Sequence, residues 1–480
     1  MTSTSADSAD HLPAVTWSQT FASTRGQAPP IDLARAVLAG PAADGGLLVP
    51  ERIDAFTDGE LAHLLELPFA DLATEVGHRL LGADLPRDQL RALCHDAFDF
   101  EIPLRWIEEP GAARRGAGAA DEPNPGLGVL ELFHGPTLAF KDVGARFMAR
   151  LLRWARRDLA RRGHGDAERE LTILVATSGD TGSAVAQAFL GVEGFRVAVL
   201  FPRGQVSEAQ QKLFTTLGQN TMSFEIDGSF DDCQRLVKAA FADSTLRERL
   251  PLGSANSINI ARLLPQSFYY CWLVAQLSDP QREQPLVVCT PSGNFGNLTA
   301  GLLAQRLGAP IHSFVAATNA NDVVPTFLRG SAYQPRPSQP TLANAMDVGD
   351  PSNFERMLWL EGGDEDALRA KLHGVAFGDD EIRRAIETVR HRHGVLLDPH
   401  SAIGWLAFED PGLRQRLPAD ALRVFLATAH PAKFADVVEH ATGEPVELPP
   451  ALAEALRRDE RVERIGADYE PFRQHLERLA

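Results

Sequence analysis

Beyond residue 170 the hydrophobic positions gather into short continuous runs: LTILVAT (171–177), FRVAVLF (195–201), PLVVCT (285–290), HSFVAAT (312–318) and LRVFLAT (422–428). A strand with one wet face alternates polar and apolar residues; a continuous run suits a strand covered on both faces, hence a parallel sheet with helical crossovers. Helical stretches separate the runs, so the predicted fold class is α/β. Ahead of them, 31–40 and 51–66 read as short amphipathic helices around DGGLLVP, where Gly45 and Gly46 predict a turn. Residues 108–128, rich in Gly, Ala and Pro, are expected to form a linker or surface loop. The chain then divides into a flexible tail at 1–14, an N-terminal domain at 15–107 and a larger region at 129–480. The late charged run RRDERVERI reads as the solvated face of a helix.

Length supports more than one sub-domain, since 480 residues exceed what a single core usually reaches. A formal net charge of −17 disfavours adhesion to nucleic acid or to an anionic membrane while leaving room for a small bound anion. No apolar run approaches the ~18 residues of a membrane span, and the first residues lack the basic and apolar regions of a signal peptide. Cys94, Cys233, Cys271 and Cys289 are too scattered for a disulfide framework or a metal site, and the histidines of HRHGVLLDPH match no zinc spacing. Those histidines are expected to be solvated or N-capping. No metal is expected, and the cytoplasm is the expected compartment.

Composition becomes informative at the cations. Only five lysines (141, 212, 238, 371 and 433) stand among 47 basic residues. Guanidinium stays charged in proteins, so chemistry that needs an amine able to lose its proton retains lysine. Lys141, in HGPTLAFKDVGARFM, is flanked by Phe140 and Phe147, a setting that lowers an amine pKa. It also reads as a surface helix lysine paired with Asp142. Three runs end in conspicuous loops, and ligands of open α/β sheets bind outside the carboxyl ends of strands. In TSGDTGSA (177–184) Gly179 and Gly182 let amides approach an anion at a helix start, although an ordinary βα turn has the same form. In PSGNFGN (291–297) Gly293, Asn294, Phe295, Gly296 and Asn297 form a second candidate phosphate cradle.

Taken together these segments resemble the threonine synthases, pyridoxal-phosphate enzymes of fold type II in the tryptophan-synthase β-like group. STRG, DGGLLVP, HGPTLAFKD, TSGDTGSA, FDDCQ, NSINIARLLPQSFYY, PSGNFGN, ATNANDVVPTF, NAMDVGDPSNFER and TAHPAKF match in order from about Trp17 onward. The resemblance implies two open, mainly parallel sheets flanked by helices, an N-terminal helical region, and a smaller α/β sub-domain inserted at about 145–265. It implies pyridoxal 5'-phosphate as cofactor, carried by Lys141 as a Schiff base. Gly293, Asn294, Phe295 and Asn297 would hold the cofactor phosphate, and Thr428 the pyridine nitrogen. Ser178, Gly179, Asp180 and Thr181 would meet the substrate carboxylate or the ring face. Ser257, Asn259 and Arg262 would take the substrate phosphate. The implied reaction converts O-phospho-L-homoserine and water to L-threonine and phosphate, in a monomer or homodimer.

Two further readings keep most of these motifs: a serine or threonine dehydratase-like β-eliminase, and a non-catalytic relative that only binds a phosphorylated ligand. Lys212 and Lys433 are the fallback lysines. Two departures from the family pattern stand out: an arginine is expected near Thr326, and Leu48 replaces a common aromatic.

Overall fold

The computed structural model describes residues 12–111 and 124–479. The strands, in chain order, are β1 (Thr20–Ser23), β2 (Ile31–Asp32), β3 (Leu48–Pro50), β4 (Leu104–Glu108), β5 (Leu127–Glu131), β6 (Leu171–Ala176) and β7 (Phe195–Pro202). They continue with β8 (Thr221–Asp227), β9 (Leu252–Ser254), β10 (Leu286–Pro291), β11 (Ser313–Thr318), β12 (Leu372–Ala376), β13 (Leu422–Ala427) and β14 (Glu463–Gly466). They form three sheets, ordered β2-β1-β3, β12-β11-β10-β13-β5-β4 and β14-β8-β7-β6-β9. All neighbours in the two larger sheets run parallel except the edge pair β4 and β5.

The continuous apolar runs behave as two-sided strands should. In β10, Leu286 and Val288 pack into one core cluster while Val287 and Cys289 pack into another. β13 divides likewise, with Val424 and Leu426 on one side and Phe425 and Ala427 on the other. The first cluster also takes Ile173, Val175, Val197 and Val199 of the smaller sheet, so one apolar layer joins the two sheets. The Lys141–Arg161 helix lies in that layer and buries Phe147, Met148, Leu151 and Leu152. Full burial of each such side chain contributes about 1.5–3 kcal/mol.

Several expectations need correction. The tail was expected to reach residue 14; residues 1–11 lie outside the described residues, but Leu12 is buried in the main core. The interior of the expected linker, 112–123, also lies outside the described residues, while its flanks are the paired strands β4 and β5. RRDERVERI is not a helix face: the Pro450–Arg457 helix ends there and β14 follows, pairing with β8 and burying Ile465 against Phe224. His400 is not solvated. It is buried, its Nδ1 lies 2.6 Å from Asp398, its Nε2 accepts from the Ala345 amide (3.2 Å) in the short Asn344–Met346 turn, and Asp398 itself caps the Pro399–Glu409 helix.

Arg356 fastens the N-terminal sheet to the rest of the chain. Fully buried, it donates to the Leu48 carbonyl (3.0 Å), the Ile258 carbonyl (2.7 Å) and Asn353 Oδ1 (2.9 Å). Burial pulls its guanidinium down to about 9. Leu48, where an aromatic was expected, fills the core at 2% exposure and presents that carbonyl. Arg356→Ala is expected to cost about 3 kcal/mol by stripping buried carbonyls of their donor, read as an earlier urea unfolding midpoint.

Candidate active site

Strand order puts the chemistry at one end of the large sheet. β10, β13 and β5 are adjacent and parallel, so the segments after their carboxyl ends lie side by side. Those segments carry, in turn, residues 292–297, Thr428, and the stretch leading to Lys141. The Phe140 N–H donates to the Thr428 carbonyl (2.9 Å), and Ala139 bridges Ala429, which seats Lys141 at the first position of its helix beside Thr428. Thr428 is buried, and its hydroxyl bonds to no described residue. Leu138 and Phe295, with φ of 58° and 54°, are two non-glycine left-handed residues, one in each flanking loop. Such strained backbone is typically retained at functional sites.

The smaller sheet contributes the loop after β6. Thr177 Oγ1 accepts from the Gly179 and Gly182 amides, and the Asp180–Phe189 helix begins at Asp180. Gly179 has φ of 138°, and a Cβ there would lie 2.5 Å from the Gln210 side chain, so glycine lets Gln210 reach in. Asp180 is buried and shared: its Oδ1 accepts from Gln210 (2.8 Å) and lies 2.6 Å from Lys433 Nζ, while Oδ2 is 3.5 Å from Lys141 Nζ. Burial alone would raise the Asp180 carboxyl, yet Lys433 and Lys141 hold it far below the usual carboxylate range. Lys141 is therefore no surface lysine paired with Asp142. Its side chain is 13% exposed, and burial lowers its amine pKa, with Asp180 opposing and Lys433 and Arg262 reinforcing. Asp142 faces away, accepting from the Thr137 hydroxyl (2.6 Å) and amide (2.8 Å).

The remaining predicted residues separate into free and committed groups. In the loop after β10 the amides of Gly293, Asn294, Gly296 and Asn297 have no acceptor among the described residues, whereas Phe295 donates to Ser292 Oγ. This run opens the Gly296–Arg306 helix, whose positive end favours an anion. A Cβ on Gly293 would lie 2.7 Å from Met346 Cα, so only glycine fits. The Asn297 side chain braces the loop, accepting from Ser292 Oγ (2.5 Å) and donating to the Pro291 carbonyl (3.1 Å). Asn294 donates to Ser257 Oγ, joining two of the predicted segments. The Asn259 side chain is spent on the Val37 and Ser254 carbonyls and on capping Ala261. Arg262 is buried and donates to the Ala255 carbonyl (2.6 Å); among the described residues its Nε has no partner and no carboxylate pairs with it. Burial pulls its guanidinium down to about 10. Ser178 and Thr181 remain partly exposed. Near Thr326, where an arginine was expected, Arg329 and Arg336 instead reach Asp322.

These groups suit a phosphorylated aldehyde cofactor: four free amides for its phosphate, an unpaired guanidinium, a free hydroxyl and a lysine of lowered basicity. The pyridoxal-phosphate dependent enzyme family matches residues 125–429, the threonine synthase N terminus 20–98, and the threonine synthase C-terminal region 401–476. The chain is 42% identical over 429 residues to the threonine synthase of Escherichia coli (strain K12), covering 88% of this chain and 91% of that protein.

The chain belongs to the threonine synthase family.

The crystal structure of the Escherichia coli threonine synthase superposes with a TM-score of 0.84 at 39% identity, covering 96% of this chain and 100% of that one. The PLP-bound threonine synthase from Brucella melitensis gives 0.84 at 34% identity, covering 96% and 99%. Fold type II is thus the architecture of the chain, and pyridoxal phosphate the cofactor of its family. No helix among the described residues is long and apolar enough to cross a membrane.

Motif reading missed two members of the site: Gln210 carried no local signal, and Thr137 lay unremarked inside HGPTLAFKD. Lys433 was named only as a fallback for Lys141, not as its neighbour on Asp180. Asp142 titrates in the linked cluster. Burial pushes its carboxyl up to about 6 against the pull of Thr137 and Lys433, whereas an unfolded carboxyl titrates near ~3.9. Between those values the native state holds more protons, so this group makes stability fall as pH rises from about 4 to 6. Asp142→Asn is expected to flatten that fall, measured as melting temperature across the interval.

Proposed function

We propose that the chain converts O-phospho-L-homoserine and water to L-threonine and phosphate, with Lys141 as the attachment point for pyridoxal 5'-phosphate. The observation that carries this reading is the convergence of Lys141, Thr428 and the free-amide loop on adjacent strand ends. When bound, the cofactor supplies an electron sink for charge developing on the substrate carbons. Gly293, Asn294, Gly296 and Asn297 would hold its phosphate through their free backbone amides, Phe295 having committed its own to Ser292 Oγ, and the Thr428 hydroxyl would meet the pyridine nitrogen. A hydroxyl there does not enforce a charged ring, which moderates the sink. Lys141 Nζ takes the proton from the α-carbon and later one from the β-carbon. Its lowered basicity suits that role, since a general base must be free of its own proton near working pH.

The substrate phosphate falls to Arg262 and Ser257. An unpaired buried guanidinium needs an anion, and bidentate phosphate is its natural partner. Asn259 acts indirectly by capping the Ile260–Leu263 helix, which carries Arg262. Ser178, Gly179, Asp180 and Thr181 meet the substrate carboxylate or ring face, with Asp180 fixed by its two lysines. A cytoplasmic monomer or homodimer belongs to the same reading; the four cysteines are buried and unpaired, as in a reducing compartment.

The deciding assay measures phosphate release and threonine formation from O-phospho-L-homoserine with and without added pyridoxal phosphate. Deamination of serine or threonine without phosphate release would overturn the assignment in favour of a dehydratase. The purified protein is expected to be yellow, with borohydride-sensitive absorbance at about 410–420 nm. Lys141→Arg should fold, lose that colour and lose activity by at least about a thousandfold. Gly293→Ala should weaken cofactor retention at least about tenfold, read by spectral titration, because the added methyl displaces the amide cradle.

A further inference from the structure

Lys433 has so far served only to help fix Asp180, yet it is the most deeply buried lysine of the cluster. Its side chain has 0% exposure. Its Nζ is 2.6 Å from Asp180 Oδ1 and donates to the Thr137 carbonyl at 2.8 Å. It stands in a short turn (Pro431–Phe434) just after β13, five residues past Thr428, which bonds Phe140. A buried ammonium is costly even when paired and hydrogen-bonded, because desolvation can exceed the Coulombic gain. Packing would have been satisfied by methionine at this position, as elsewhere in the core.

We infer that Lys433 is a positioning residue for Lys141: by occupying one side of Asp180 it holds that carboxylate between two ammonium groups and thereby sets how readily Lys141 releases its proton. The inference rests on the proposed role of Lys141 and deepens it. Asp180 Oδ1 is saturated by Lys433 and Gln210, which leaves Oδ2 at the loose distance of 3.5 Å from Lys141. Without Lys433, the whole carboxylate charge would fall to Lys141 as a tight buried pair, and the amine would keep its proton. Lys433 also repels that proton directly. Both effects have the same sign.

The charged groups facing Lys141 are Asp180 from the smaller sheet, Lys433 after β13 and Arg262 from the Ile260–Leu263 helix. Those around Lys433 are Asp180, Lys141, Asp142 and His430. Asp180 supplies the only attraction on Lys141 in this set, so its division between two lysines is the adjustable quantity.

The test titrates Lys141 itself, in the full-length, cofactor-free chain, by competitive acetylation with trace acetic anhydride quantified peptide by peptide. In Lys433→Met the midpoint for Lys141 should rise by about one pH unit or more, the scale a charge at this range imposes. Its reactivity at neutral pH should fall about tenfold. Lys433→Arg keeps the charge and should restore most of the shift. Asp180→Asn should move the midpoint down. An unchanged midpoint in folded Lys433→Met overturns the inference. Should that variant fail to fold by circular dichroism, an Asp180→Asn midpoint that does not fall overturns it equally. Cofactor uptake at Lys141 is read separately, as the borohydride-fixed adduct by mass spectrometry. Its absence from the parent protein would remove the proposed function and leave the titration result standing.

Discussion

Asp180 is a carboxylate buried between two sheets, with Lys433 and Lys141 of the larger sheet region reaching it from the opposite side of the cleft. A charge so placed is tolerable only when it is paired and hydrogen-bonded, and Gln210 supplies the remaining bond. The pairing dictates much else. It requires the loop after β6 to meet the turn after β13 at a fixed spacing. Gly179 must also lack a side chain, so that Gln210 can enter. It leaves Lys141 near a carboxylate without surrendering the amine to it.

The fold supplies these spacings through strand order. Because β10, β13 and β5 are parallel neighbours, three sequence-distant segments end at one edge of the sheet. A shared apolar layer fixes the second sheet against the first, so Asp180 needs no mobile tether. Arg356 extends the same logic to the N-terminal sheet, binding the Leu48 carbonyl on one side and the Ile258 carbonyl on the other. The segment it steadies contains Ser257 and leads to Arg262.

Legibility in the sequence followed how local each determinant was. Two-sided strands announce themselves as apolar runs, and β6, β7, β10, β11 and β13 fell where those runs lie. The short or half-polar strands β8, β9, β12 and β14 did not, since their pairing is decided by neighbours far along the chain. The loops of Gly179 and Gly293 were readable because glycine spacing at a strand end has a local meaning. Asn259 and Asn297 were legible as members of the site but not in their part in it. Their side chains brace backbone, and a sequence does not tell a bracing amide from a ligating one. Gln210 and Thr137 act through tertiary contact alone. Lys433 was visible in composition, as a lysine kept in an arginine-rich chain, before any geometry explained it.

The charge balance accounts for the combination of lysines with free amides. Lys141 and Lys433 face Asp180 and Arg262 acts on Lys141, with Asp142 titrating up to about 6 behind them. With Lys141 protonated the cluster carries a surplus of one positive charge at neutral pH, and with Lys141 neutral it carries none. The proposed reaction brings in two phosphate groups, one on the cofactor and one on the substrate, and such a balance cannot neutralise both. Additional cations would meet the deficit, but each would drive the Lys141 pKa lower and bury a further charge at high cost. Amide dipoles meet it without either penalty. A helix start with four unpartnered N–H groups attracts an anion through partial charges that carry no titratable proton. The glycine loop after β10 and the single guanidinium of Arg262 thus divide the work, and the proton affinity of Lys141 stays under the control of Asp180 and Lys433.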